Sequence, residues 1–210
     1  MKMSKKVKAA ALFMTAFLVF VFAAESNRIL YGSAKVKGSK SFGPDFEYDY
    51  LACVDIEVNS EGKIIQISDN KKNTEAAIDA GSLGHPEYNK PYWKKYLAEK
   101  GFEKYKNKTL EDVKKIDIGV PGNPGVDAVG GATAASLAVK NAVVKALALD
   151  ASIKELENYK KSANYKKEEQ KKLEKLIKEG KKLLESKETY EEIEKALAEL
   201  KKKIDELNTK

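Results

Sequence analysis

The residues that most constrain the fold are YLACVDIEVNSEGKIIQI, positions 50–67. Every second residue from Tyr50 to Val58 is apolar, which is the period of a strand with one mostly buried face. Asn59-Ser60-Glu61-Gly62 then supplies turn residues, and positions 63–67 are typical of a second strand. These residues therefore predict a β-hairpin. Residues 30–37 alternate more weakly and predict a third strand.

Helical patterns follow the hairpin. Residues 88–100 fit a helix that carries Tyr92 and Trp93 on one face. Thr109 is followed by Leu-Glu-Asp, which is typical of an N-cap, so a short helix is predicted to reach Lys115.

A second helical region lies beyond a stretch that breaks regular structure. Residues 119–125 read GVPGNPG, which fits neither a helix nor a central strand. A long helix is predicted over residues 133–149, where apolar residues recur at helical spacing. Strands followed by helices predict an α+β fold, a small antiparallel sheet with packed helices.

The composition changes sharply after Asp150, where Lys, Glu, Leu and Ile dominate. Ser152-x-x-Glu155 and Thr189-x-x-Glu192 both read as capping boxes. A short helix is predicted over residues 153–159, and two longer helices carry apolar stripes. We therefore predict a two- or three-helix bundle over residues 150–210, after a first domain over residues 27–149.

The first residues predict export from the cytoplasm. Lysines at positions 2, 5, 6 and 8 precede an apolar run from Ala9 to Ala24. A positively charged segment followed by a short apolar core is typical of a signal peptide. The alternative is a membrane anchor that is not cleaved. Residues 1–26 are therefore predicted to contact the membrane, and the remainder is predicted to lie outside the cytoplasm, at the cell surface or secreted.

Composition excludes several function classes. The chain has one cysteine, Cys53, and one histidine, His85, so an internal disulfide framework and a Cys/His zinc site are excluded. Cys53 falls in a strand pattern and is interpreted as a buried small hydrophobe. The net charge is +7, but the lysines are interleaved with acids and Arg28 is the only arginine. We therefore expect no specific nucleic-acid partner and no metal site.

The stretch Asp127-Ala-Val-Gly-Gly-Ala-Thr-Ala-Ala-Ser136 is the best candidate for a binding site. Gly130 and Gly131 let the backbone approach a bulky ligand, and Thr133 and Ser136 fall in the first turn of a predicted helix. The free N–H groups and positive dipole end of a helix start favour a phosphate. Small and hydroxyl residues also cap helices that bind nothing, and spacing alone favours that simpler interpretation.

The same stretch resembles the flavinylation motif of the FMN-binding domain family, Asp-x-x-Ser/Thr-Gly-Ala-Thr. This family includes flavoprotein subunits of the sodium-pumping NADH:quinone reductase and of a related ferredoxin:NAD reductase. It also includes exported bacterial electron-transfer proteins. In the family, a flavin transferase joins the FMN phosphate to the last Thr of the motif, which here is Thr133. The resemblance implies that the cofactor contacts lie around this residue: Asp127, Gly130, Gly131, Ala132 and Ser136.

The resemblance covers residues 30–149 and includes other short matches. Asp69-Asn70, the segment 89–93 and the helix at 136–143 are similar to surface members of the family. Tyr92 and Trp93 are candidates to stack on the flavin ring or shield it, although aromatic residues at helical spacing are at least as often core. Gly130 departs from the pattern, because the family has Ser or Thr there. The Glu-Thr-Pro-Gly loop of some members is also absent.

The resemblance implies an electron carrier and not an enzyme in its own right. FMN would be the cofactor, held covalently, while the protein supplies attachment and electrostatics. The implied partners are a flavin transferase and redox proteins or a membrane electron donor. The alternative is a non-redox surface binding or scaffold protein whose flavinylation motif has decayed. The C-terminal bundle resembles, more loosely, helical modules of Gram-positive surface proteins.

Overall fold

A computed structural model describes residues 27–37, 49–73, 86–120, 123–160 and 166–208. The predicted export segment and His85 lie outside these residues, so the export prediction is not addressed by the fold. Within the described part of the chain, no helix is both long and apolar enough to cross a membrane.

The predicted strands form one antiparallel sheet. Strands β1 (Arg28–Lys37), β2 (Asp49–Val58) and β3 (Ile64–Asp69) lie in the order β1-β2-β3. Val54, Ile56 and Val58 are fully buried on one face of β2, which confirms the predicted alternation. Cys53 is buried as well, as predicted, and burial is the main cause that raises the pKa of its thiol.

The turn between β2 and β3 follows from its residues. The Asn59 side-chain oxygen accepts a hydrogen bond from the Lys63 N–H at 2.9 Å, and Gly62 adopts a φ of +80°. Asn supplies such local bonds and Gly supplies the positive φ, so the hairpin is confirmed together with its turn.

Two helices and a ribbon lead to the binding-site stretch. Helix α1 covers Pro86–Ala98, and a 3₁₀ turn covers Glu103–Tyr105. Helix α2 (Leu110–Lys114) begins at the predicted N-cap Thr109, whose hydroxyl accepts from the Asp112 N–H while the Asp112 carboxylate accepts from the Thr109 N–H. The Gly- and Pro-rich segment forms a two-stranded ribbon, β4 (Gly119–Val120) with β5 (Asn123–Pro124).

Helix α3 (Thr133–Lys160) packs across the sheet and closes the first core. Its buried face is rich in alanine, so its backbone approaches the sheet closely. A Cβ on Gly32 of β1 would lie 2.7 Å from the Ala142 carbonyl oxygen, which explains why this strand has glycine there. The small residues on both sides set the distance between helix and sheet.

Helix α3 continues through Lys160, so the predicted helix end at Leu149 is wrong, as is the separate helix over residues 153–159. Ser152 is buried inside α3 and does not cap a new helix. The physical reason is that residues 133–160 contain no Gly or Pro and many strong helix formers, so nothing stops the helix near Asp150. The predicted domain boundary thus falls inside a continuous helix.

The C-terminal helical region has its own core. Helices α4 (Lys167–Glu185) and α5 (Tyr190–Asn208) pack on the second half of α3, which supplies Leu156. The predicted cap at Thr189 is confirmed, because its N–H donates to Glu192 and its hydroxyl accepts from the Glu192 N–H. The chain therefore has the predicted α+β fold with a C-terminal helical region, in which three helical segments pack together.

Candidate functional site

A pair of aspartates shapes the loop that precedes α3. The Asp127 N–H donates to the Asp117 carbonyl oxygen, and the Asp127 carboxylate accepts from the Asp117 N–H, both at 2.8 Å. Gly125 allows this close pairing, because a Cβ there would lie 2.3 Å from the Asp117 carboxylate. Asp127 therefore holds the two arms of the loop together, which is a structural use of the first residue in the motif.

Lys104 supports the same loop from the 3₁₀ turn. Its ammonium donates to the Asp127 carbonyl oxygen. Burial lowers the pKa of Lys104, and the nearby Asp127 charge opposes that shift. Lys104 and Asp127 also line a small cavity of about 240 Å³ with Lys108 and Lys115. Asp112 lines the same cavity, so lysines and carboxylates face each other beside the Asp127 loop.

The turn between the loop and α3 exposes its two glycines. The Ala132 N–H donates to the Val129 carbonyl oxygen at 2.8 Å, and the side chains of Val129 and Ala132 are buried. Gly130 and Gly131 lie between them on the surface. Gly131 has a φ of +70°, a conformation that favours glycine, whereas Gly130 does not have a positive φ and a Cβ there would meet nothing within 4 Å.

Thr133 is the first residue of α3 and is partly exposed. The first helical hydrogen bond runs from the Ser136 N–H to the Ala132 carbonyl oxygen at 2.9 Å. The N–H groups of Thr133, Ala134 and Ala135 precede that bond, and these are the groups that a helix start leaves free. The positive end of the helix dipole adds to their attraction for an anion.

Ser136 is fully buried, unlike Thr133. Its hydroxyl donates to the Ala132 carbonyl oxygen at 3.0 Å and accepts from the Val129 N–H at 3.1 Å. Both bonds join the helix to the turn before it. This placement favours a structural role for Ser136 over the direct cofactor contact that the motif implied.

Lys95 reaches the turn from α1 and was not identified from the sequence. Its Nζ lies 3.1 Å from the position that a Cβ on Gly131 would take, and its Cε lies at 3.9 Å. No sequence pattern links Lys95 with Gly131, because only the packing of α1 brings these two residues together. The lysine spacing in α1 gives no signal of its own.

Trp93 lies inside the core on the same helix. It is 9 % exposed, stacks on Tyr96 with ring centroids 5.5 Å apart, and donates from Nε1 to the Asp69 carboxylate at 3.2 Å. Tyr92 is partly buried and packs against the same core. These contacts favour a core role for Trp93, while Tyr92 keeps an exposed part that a ligand can reach.

One comparison with protein families indicates what kind of domain this is. Residues 52–148 match the model of the FMN-binding domain. This part of the chain is similar to an FMN-binding domain. This match begins in β2 and ends within α3, so it includes the glycine turn and Thr133 and leaves out α4 and α5. No curated protein and no solved structure matches the chain.

The family indicates flavin binding and electron transfer, and the residues around Thr133 fit the phosphate end of FMN. The N–H groups of Thr133 and Ala134 precede the first helical hydrogen bond of α3, Gly131 leaves space where a side chain would stand, and the Lys95 ammonium lies beside that space. A phosphate ester needs donors, positive charge and room, and this turn has all three. The family match thus supports flavin binding, and the start of α3 is the candidate site for the phosphate.

Proposed function

We propose that the protein is an exported electron carrier whose FMN is joined through a phosphoester to the Thr133 hydroxyl. One observation carries the proposal: the partly exposed Thr133 stands at the start of α3, directly after the glycine turn, within the matched FMN-binding domain. Its hydroxyl is close to the N–H groups that would bind the same phosphate.

The attachment requires a flavin transferase and FAD. The Thr133 oxygen forms a bond to the phosphorus on the riboflavin side, the phosphoanhydride bond breaks, and AMP leaves. The hydroxyl proton passes to a base of the transferase. The product is a phosphodiester with one negative charge, which the start of α3 is suited to bind. The pairing of Asp127 with Asp117 would keep the loop in place during this step.

The bound flavin would accept or donate one or two electrons, and the protein would position it and tune its surroundings. In this proposal the domain is an electron carrier and not an enzyme in its own right. The redox partners would be other proteins or a membrane electron donor outside the cytoplasm. This location rests on the lysines and apolar run of residues 2–24. Protease digestion of intact cells should then remove residues 150–210, and full protection would contradict export.

Gly130 supports one competing function, a surface binding or scaffold protein that has lost flavinylation. The family has a hydroxyl residue at this position. However, Gly130 is exposed with open space beside it, and the acceptor Thr133 is retained. The missing hydroxyl therefore leaves the rest of the site in place, and the flavoprotein function is preferred.

The test is whether flavin stays on the denatured protein and cycles on the native protein. The chain is produced with a flavin transferase, and flavin fluorescence is measured on the band in a denaturing gel. Native protein is then reduced with dithionite and reoxidised. We expect a fluorescent band and reversible bleaching of the flavin absorbance. A band without flavin, next to a labelled control domain, would support the competing function.

A further inference from the structure

We propose that Lys95 is a binding residue for the FMN phosphate, a role that rests on the proposed attachment at Thr133. The structure places its ammonium against the glycine turn, two residues before the acceptor. A lysine at this place supplies up to three donors and a full positive charge. The helix N–H groups are donors too, but they carry no full charge.

The first argument is steric. A Cβ on Gly131 would stand 3.1 Å from Lys95 Nζ, which is tighter than ordinary contact. Glycine at this position therefore serves two purposes, since it adopts the φ of +70° and leaves the space that the ammonium uses. The side chain of Lys95 therefore ends beside the exposed turn.

The second argument concerns charge. Among the described residues, the ion pair that Lys95 makes is with Glu99, just beyond the end of α1, at an N–O distance of 3.9 Å. Both side chains are about half exposed, at 47 % and 51 %, so water screens this pair and it holds the ammonium weakly. The Lys95 ammonium can therefore bind a phosphate without breaking a strong ion pair.

The third argument separates Lys95 from its neighbours. Lys104 also lies near the loop, but its ammonium donates to the Asp127 carbonyl oxygen. Lys94 precedes Lys95 on α1 and is exposed, and a Cβ on Gly131 would have no atom of Lys94 among its neighbours within 4 Å. Lys94 therefore provides a matched control with the same charge on the same helix.

The experiment compares the full-length protein with Lys95→Gln, Lys95→Arg and Lys94→Gln. Each is incubated with the same flavin transferase and FAD, and FMN incorporation is followed by intact mass. Each loaded protein is then examined by ³¹P NMR. Circular dichroism confirms that all four proteins keep the same fold.

We expect Lys95→Gln to load FMN about tenfold more slowly, as the loss of one charge-assisted hydrogen bond predicts. Its phosphodiester ³¹P resonance should move away from the wild-type position, while Lys95→Arg restores most of both properties and Lys94→Gln changes neither. The resonance reports the phosphate itself and is independent of how the transferase docks.

Two other results would contradict the inference, and they are distinguishable. If wild type loads FMN and its ³¹P resonance is the same in Lys95→Gln, Lys95 does not contact the phosphate, whatever the loading rate. If wild type gains no FMN while a control domain is labelled, the proposed attachment fails and the role of Lys95 fails with it.

Discussion

Gly130 and Gly131 are neighbours in the turn but have different constraints. Gly131 has a positive φ and the Lys95 ammonium beside it, whereas Gly130 has an ordinary φ and open space. The sequence alone treats both as flexible glycines that admit a ligand. The backbone angles show that only Gly131 needs to be glycine, so the departure of Gly130 from the family motif is sterically neutral.

This difference predicts a small effect for a substitution at Gly130 and a larger one for a substitution at Gly131. Gly130→Ser should leave the final extent of flavinylation unchanged and alter its rate by at most about tenfold, because backbone donors dominate anion binding at a helix start. The measurement is a time course of FMN incorporation. A wild type that stays nearly unlabelled while Gly130→Ser labels fully would show that the hydroxyl is required.

Gly131→Ala is the matched control at the adjacent position. Alanine in the left-handed conformation costs about 1–2 kcal/mol, and its methyl group would also displace Lys95. We expect a lower free energy of unfolding in urea and slower FMN loading. Equal stability of the two variants would contradict the assignment of the positive φ.

At the scale of elements, the start of α3 is joined to the turn by Ser136. Its hydroxyl is fully buried and makes two bonds to backbone groups. Ser136→Ala would leave the Val129 N–H without its partner, so we expect destabilisation by about 1–3 kcal/mol in urea unfolding. FMN should still attach to Thr133 in the folded fraction. A variant as stable as wild type that cannot be flavinylated would instead indicate a direct cofactor role.

The elements that were predicted correctly are those with local signals. The hairpin follows from the alternation of apolar residues and from the turn that runs from Asn59 to Gly62. The start of α2 follows from Thr109 and Asp112. These signals depend on residues close in sequence. A site at Thr133 could be proposed from the sequence because its motif is continuous. Lys95 was missed because only tertiary packing places it there.

The end of α3 was mispredicted for a related reason. The composition changes at Asp150, and Ser152-x-x-Glu155 has the pattern of a capping box, but a cap forms only where the preceding residues leave the helix. Packing of the alanine-rich face on the sheet and of Leu156 in the second core keeps the whole segment helical. A composition change therefore marks a change of packing partner here and does not mark a helix end.

At the scale of the whole molecule, α3 connects two apolar cores. Its first half belongs to the core of the sheet and its second half to that of α4 and α5. Arg28 of β1 pairs with Asp150 at 3.0 Å, and Lys154 donates to the Ser60 carbonyl oxygen at 3.4 Å. The helical region is thus attached to the flavin domain by a shared helix and by polar contacts.

This arrangement refines the prediction that the flavin domain is separable. A chain ending at Leu149 should still accept FMN, because Thr133 and its turn lie in the first core. It should unfold at a temperature a few degrees lower than a chain ending at Lys160, since it loses Asp150 and leaves Arg28 unpaired. Circular dichroism melts measure this. A Leu149 chain that cannot fold would show that the helical region is integral to the first domain.

The central claim is the attachment of one FMN to Thr133, and intact mass after production with a flavin transferase and FAD tests it most directly. Wild type should gain the mass of one FMN less one water, and Thr133→Ala should gain nothing. Thr189→Ala, which removes the cap threonine of α5, should load like wild type. A wild type without the added mass beside a labelled control domain, or a Thr133→Ala variant that still gains it, would contradict the account.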